Sequence, residues 1–179
     1  MNGPAGSHFG LLLAFFLSAG ASALSTDRDQ PINIEADRAE ADNVKRTTVY
    51  QGDVIITQGT LRITGKTVTI YYDEQDQITK LVSEGMPARF RQLPDGKVDV
   101  PKNYQVAHAS RMEYYARDDR IVLLGDAVYG QGGDQIAADR IVYDSLTSQM
   151  RADSRAASGS EGEQPSSRVR IKIEPKKTP

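Results

Sequence analysis

The sequence predicts an all-β fold assembled from stacked antiparallel hairpins, and three observations carry that expectation. Residues 49–72, VYQGDVIITQGTLRITGKTVTIYY, set two β-rich runs on either side of Gln58-Gly59 with no room for a helix between them, which reads as a hairpin. The pattern returns in residues 122–144, VLLGDAVYGQGGDQIAADRIVYD. At an offset of 73 positions, Val49, Gly52, Asp53, Gln58, Gly59 and Ile63 coincide with Val122, Gly125, Asp126, Gln131, Gly132 and Ile136. A shorter motif also recurs: Ile34-Glu35-Ala36-Asp37-Arg38 resembles Ile136-Ala137-Ala138-Asp139-Arg140 and, more loosely, Ala107-His108-Ala109-Ser110-Arg111. A lone hairpin is marginal in water, so such units must stack to cover one another's apolar faces. Repetition therefore predicts one long antiparallel structure rather than several domains.

Composition agrees. The 179 residues suit one domain, and 39% apolar content with no Cys and no Trp suits a structure one or two sheets deep. A net charge of -2 gives no basis for electrostatic capture of nucleic acid. Residues 9–23, FGLLLAFFLSAGASA, are apolar and end in an A-x-A pattern, so residues 1–23 are expected to be a secretory signal cleaved after Ala23. The leading MNGPAGSH lacks Lys and Arg, and a membrane anchor is the rival reading. Against the anchor, these residues fall short of the roughly 20 that span a bilayer. An exported chain without Cys is indifferent to an oxidising compartment.

In chain order, 25–31 is a polar lead and Ile32-Asn33-Ile34-Glu35-Ala36 alternates as a half-buried first strand. Asp42-Asn43 turns, and 47–56 is β-branched. Residues 61–72 alternate, with Leu61, Ile63 and Thr67 on one face and Arg62, Thr64 and Lys66 on the other. Residues 73–77, DEQDQ, break that strand. Their carboxylates raise a calcium reading, but EF-hand spacing is absent and a solvated turn is expected. Two short strands, 78–82 and 88–93, are expected to be joined by Glu84-Gly85-Met86-Pro87. Residues 94–97 form a turn and the insert through Lys102 a loop. Further strands cover 104–115, 120–129 and 136–143. Residues 152–167, rich in Ser, Ala, Gly and Glu, read as a flexible connector. Residues 168–174, RVRIKIE, alternate as one last edge strand before a basic tail to 179.

Little in the chain supports catalysis. Beyond residue 23 the single His is His108, expected at a strand start, so neither a nucleophilic triad nor a zinc site can be assembled from it with no Cys present. Asp53 and Asp126, beside the repeated Gly52 and Gly125, are better read as repeat architecture than as paired acids. No catalytic, metal or cofactor residues are assigned. What remains is an apolar strand face. If two sheets lie face to face, Ile32, Ile34, Val54, Ile56, Leu61, Ile63, Phe90, Met112, Tyr114 and Ile136 line the space between them. They either close on one another as a dry core or bound a ligand space.

The segments DQPINIEADRAEADN, YQGDVIITQGTLRITGKTV, GMPARF, AHASRMEYY and LLGDAVYGQGGDQIAADRIVY resemble, in unbroken order from about residue 29 to 150, the OstA-like family of periplasmic lipopolysaccharide-transport proteins, the LptA type. The resemblance implies a twisted, slightly open β-jellyroll over residues 24–151. It implies a periplasmic, non-enzymatic carrier that binds lipopolysaccharide by its lipid A acyl chains and takes it from inner to outer membrane. As partners it implies an inner-membrane export complex, an outer-membrane assembly complex, and further copies joined head to tail, last strand to first. Interior contacts carried over are Ile32, Ile34, Phe90 and Tyr114. Under the resemblance, a lipid-holding interior displaces the dry core. Outside it stand a ligand-free structural module of the envelope, and an outer-membrane assembly component that would carry a long barrel segment besides this domain.

Overall fold

The computed structural model describes Asp27 and residues 29–94, 96–144, 146–154 and 168–175; the expected export signal and connector residues 155–167 lie outside the described residues. Among the described residues ten strands form: β1 (Asn33–Glu35), β2 (Arg38–Asp42), β3 (Thr47–Gln58), β4 (Leu61–Tyr72), β5 (Ile78–Gln92), β6 (Gln105–Tyr115), β7 (Arg120–Gln131), β8 (Asp134–Asp144), β9 (Gln149–Asp153) and β10 (Arg170–Lys172). They make one antiparallel sheet in the order β1-β3-β4-β5-β6-β7-β8-β10, with β2 also on β3 and β9 also on β8. Each edge is thus divided. β1 and β10 flank the lower half, which ends at the Gln58-Gly59 turn, while β2 and β9 flank the upper half.

The halves are separated by a seam of β-bulges. Register shifts fall between Gln51 and Val54 in β3, Thr64 and Thr67 in β4, Glu84 and Ala88 in β5, His108 and Arg111 in β6, and Leu124 and Ala127 in β7. The gap between β1 and β2 falls opposite the same point, since Glu35 pairs with Ile55 and Arg38 with Gln51. Bulges bend the strand that carries them, so bulges aligned across a sheet crease it. The repeat found in the sequence is this crease: Gly52-Asp53 has φ of 81° and 44°, and Gly125-Asp126 has 76° and 48°. Positive φ favours Gly and tolerates Asp, which explains the dipeptide.

The crease folds the sheet onto itself. Tyr129 on β7 is level with Ile136 on β8, and Tyr143 lies further along β8. On a flat sheet that separation, seven residues, would be about 24 Å. Their ring centroids are 5.9 Å apart and stacked. The fold is therefore the all-β, slightly open jellyroll expected, but from one sheet closing on itself rather than two sheets packed.

Other expectations are corrected. Residues 78–92 make one strand, not two, because Pro87 sits inside the bulge where no ladder donor is required. Thr67 faces outward: the β4 bulge resets the alternation, and Val68 and Ile70 take the inner positions. The strands β2 and β9 were not anticipated, nor was the 3-10 turn Pro101–Asn103 in the insert.

Substitution at the seam tests this account. A Cβ on Gly52 would stand under 3.0 Å from the Asp37 side chain, whereas one on Gly96, with φ of 70°, meets nothing within 4 Å. Gly96→Ala should cost about 1 kcal/mol of backbone strain, and Gly52→Ala that amount plus a further 1–3 kcal/mol, roughly, for displacing Asp37. Equal losses in urea unfolding would show that packing across the seam contributes nothing.

Candidate functional site

The inner face is organised in rows of directly paired residues. The row beside the seam in the lower half is small and sealed, with Val54, Ala88, Ala109, Ala127 and Ala138 all buried. The next row runs Ile34, Ile56, Ile63, Phe90, Ala107, Tyr129, Ile136 and Ile171. Within it Ile56, Ile63 and Ala107 are buried, whereas Phe90, Tyr129 and Ile136 are half-buried. Beyond it the rim turns polar at Gln58, Gln92, Gln105 and Gln131. The upper half repeats the gradient. Val68, Ser83, Met112, Leu123 and Ile141 are buried next to the seam, and Leu81, Tyr114, Ile121 and Tyr143 are half-buried in the following row.

Burial that relaxes steadily away from a crease describes a V-shaped groove. Its vertex is a dry core; its two lips present apolar side chains partly to solvent. Tyr129 and Tyr143 narrow it at the β7–β8 end, and burial, then the neighbouring Tyr143, push the Tyr129 phenol up to about 12. Both rings therefore remain neutral at physiological pH.

The ten residues proposed from the sequence fall into distinct places. Val54, Ile56, Ile63 and Met112 belong to the buried cluster, and Ile34, Leu61, Phe90 and Ile136 pack against it. Tyr114 lies in the upper inner row between Leu81 and Ile121, its hydroxyl donating to Asp119 at 3.0 Å. Ile32 stands apart at the first edge, 47% exposed. Residues not singled out include Val68, Ile70, Leu123 and Ile141 at the vertex. Restarting the alternation one residue later beyond the irregularity at Gly65-Lys66 finds Val68 and Ile70.

A second omission is Asp27. Buried in the polar lead, its carboxylate accepts from the Thr60 amide and hydroxyl at 2.8 Å each and from Gln92 Nε2 at 3.2 Å, strapping the lower lip. His108 is on the outer face, paired with Arg89 and Val128, away from the groove. Among the described residues no group of three or more His, Cys, Asp or Glu could hold a metal ion.

The outer face of the upper half holds one buried carboxylate, Glu113. Burial pushes its pKa up, but hydrogen bonds from the Tyr115 hydroxyl, Lys80 and Arg111 outweigh that and bring it to about 2. Lys80 and Arg120 flank the Tyr115 ring at 4.8 and 4.7 Å from its centroid. This network stiffens the back of the upper lip.

Comparison with known proteins returns one kind of match. Residues 33–149 fit the family described as LptA/(LptD N-terminal domain) LPS transport protein. The chain is 38% identical to the lipopolysaccharide export system protein LptH of Pseudomonas aeruginosa over 169 residues, 94% of this chain and 93% of that one. With LptA of Escherichia coli it shares 35% over 137 residues, covering 74% and 71%. Among solved structures, the crystal structure of LptH, the LptA-homologous periplasmic component of the lipopolysaccharide transport device of Pseudomonas aeruginosa, superposes with a TM-score of 0.69. The identity is 33%, and 84% of this chain and 99% of that chain are covered.

Glu113 gives the back of the lip a pH signature. Its folded pKa lies below the ordinary 4.5, so the stability it contributes is complete above about 4.5 and disappears as pH falls through about 2. Glu113→Gln should cost on the order of 3 kcal/mol at neutral pH. The gap to wild type should close between pH 4.5 and 2 in urea titrations; a gap independent of pH would mean the charge contributes nothing.

Proposed function

The chain belongs to the LptA/LptD N-terminal family of lipopolysaccharide transport proteins, and on that premise we propose that the folded sheet carries lipopolysaccharide with its acyl chains between the lips. The protein is a periplasmic component of lipopolysaccharide export, a transport protein and not an enzyme. The observation that carries the groove reading is the burial gradient: a core sealed at the seam but half-open at Phe90, Tyr114, Tyr129 and Ile136. Acyl chains on those residues gain by removing apolar surface from water, while the phosphorylated saccharide stays outside the lips at no desolvation cost.

The edges extend the proposal. Among the described residues both edges of the sheet are unpaired on their outer side. At one, Ile32 just before β1 is 47% exposed; at the other, Ile171, on the groove face opposite Ile136, and Ile173 just after β10 are 65% and 75% exposed. Strand addition would bury these side chains and continue the groove into a neighbouring copy, a head-to-tail contact that does not close. An inner-membrane export complex and an outer-membrane assembly complex would use the same two edges at the ends of such a bridge.

Photo-crosslinkers at Phe90 and Tyr114 should label lipopolysaccharide in cells, whereas one at Asp76, exposed on the β4–β5 turn, should not. Equal labelling at the three positions would remove the groove. Ile63→Asp sets an unpaired carboxylate inside the groove, at a cost of several kcal/mol, and should abolish lipid binding. Full transport by that variant would place Ile63 in solvent.

A further inference from the structure

Cross-strand rows run unbroken from one edge of the sheet to the other, so the two edges display side chains at matched positions. On the outer face one row begins at Glu35 and ends at Arg170. The next begins at Arg38 and ends at Asp153, and the one after begins at Glu40 and ends at Arg151. All three join opposite charges. On the inner face the rows join like to like: Ile34 to Ile171, Ala39 to Ala152, and Ala41 to Met150. Strand direction is also compatible. Five antiparallel steps separate β3 from β8, so β1 and β2 run opposite to β9 and β10.

We infer that these edge charges fix the offset at which one copy of the chain adds to the next. The strands β10 and β9 of one copy pair with β1 and β2 of its neighbour so that Arg170 faces Glu35, Asp153 faces Arg38 and Arg151 faces Glu40. This rests on the head-to-tail reading above and adds the residues that set its register.

The alternatives fail one by one. A slip of one residue turns every inner side chain outward. A slip of one outer row, two residues, sets Arg170 against Arg38 and Asp153 against Glu40. The opposite pairs it also makes, Lys172 with Glu35 and Arg151 with Asp42, only offset these, whereas zero offset makes three opposite pairs and no like one. The opposite slip sets Asp153 against Glu35 and Arg151 against Arg38. Like charges directly opposed are unfavourable in a sheet, and either slip creates two such pairs. At zero offset the Arg140–Asp153 pair within one copy, 3.6 Å apart, extends to the next copy's Arg38. Exposed pairs add little affinity individually, so their effect is to choose among registers whose main-chain hydrogen bonds are otherwise equivalent.

Charge exchange on the full chain is the test, read by sedimentation over a concentration series at low and high salt. Glu40→Arg and Arg151→Glu should each weaken self-association about tenfold at low salt. Together in one chain they should restore it, since the pair is remade with its signs exchanged. Register is read separately in this Cys-free sequence. Ile34→Cys with Ile171→Cys should give disulfide-linked ladders on oxidation, while Ile34→Cys with Ile173→Cys should not. Rescue by the double exchange with laddering confined to the first cysteine pair supports the inference. A double variant no better than the singles, or equal laddering by both pairs, overturns it and leaves head-to-tail joining intact. A wild type that stays monomeric throughout overturns both.

Discussion

Everything in this molecule depends on the crease. A single β-sheet has two faces and nothing of its own to cover either, so ten strands laid flat would leave every apolar row wet. Instead the central strands bend at one level, where bulges on β3, β5 and β7 line up, and a short polar side chain from a neighbour lies where a glycine at the seam lacks a Cβ. Asp37 does this for Gly52, Ser83 for Gly65 and Ser110 for Gly125. The contact needs Gly on one strand and a small polar residue on the next. The extra residues lie on alternate strands, β3, β5 and β7, and all at one level, so the crease is a property of the whole sheet. Burial of Val54, Val68, Leu123 and Ile141 follows from it.

That origin explains what could be read in advance. The 73-residue repeat reports the two Gly-Asp bulges and the two Gln-Gly turns, so hairpin stacking and the identity of Ile63 and Ile136 as equivalents were legible; both lie in the same inner row. The Ala-Asp-Arg and Ala-Ser-Arg motifs were visible as repeats, but their role was not. Asp37 and Ser110 matter for what they touch on another strand, and a pattern along one chain carries no such information. The phase of β4 was lost for a related reason. Alternation is counted from a starting residue, and a bulge inserts an uncounted position, so Thr67 was assigned the place held by Val68. The strands β2 and β9 alternate as RAEAD and QMRAD, but their apolar positions are mostly Ala, too small to mark a buried face, and β2 is nearly all exposed. Asp27 carries no local signature at all, since its three bonds reach Thr60 and Gln92 far along the chain.

The same alternation that gives the groove its apolar lining gives the outer face its charges. The two faces solve different problems. On the outside, cations of the upper half are mostly held by carboxylates, as in Lys80 and Arg111 around Glu113, which keeps the back of the lip rigid while leaving the chain near neutral. On the inside, the vertex is filled by side chains and only the outer rows remain partly bare. Residues next to the seam therefore hold the fold, and those two positions further out, less buried, are the ones the proposed function assigns to cargo.

Separation of that kind has a consequence for substitution. Truncating Leu123 or Ile141 at the vertex leaves a cavity that the packed seam cannot close, with a cost in stability of several kcal/mol, roughly, and no direct effect on cargo. Truncating Phe90 or Tyr143 on the lips removes surface that is already half in water, so the fold loses less while the groove loses contact area. An open carrier must tolerate exposed apolar side chains, and it must also tolerate free edges, which closed barrels avoid. In this sheet both liabilities point the same way. The bare ends of the inner rows and the unpaired backbone of the terminal strands coincide, so a neighbouring copy that satisfies the one covers the other. Opposite charges at matched heights on the outer face then restrict which neighbour, and which alignment, can do so.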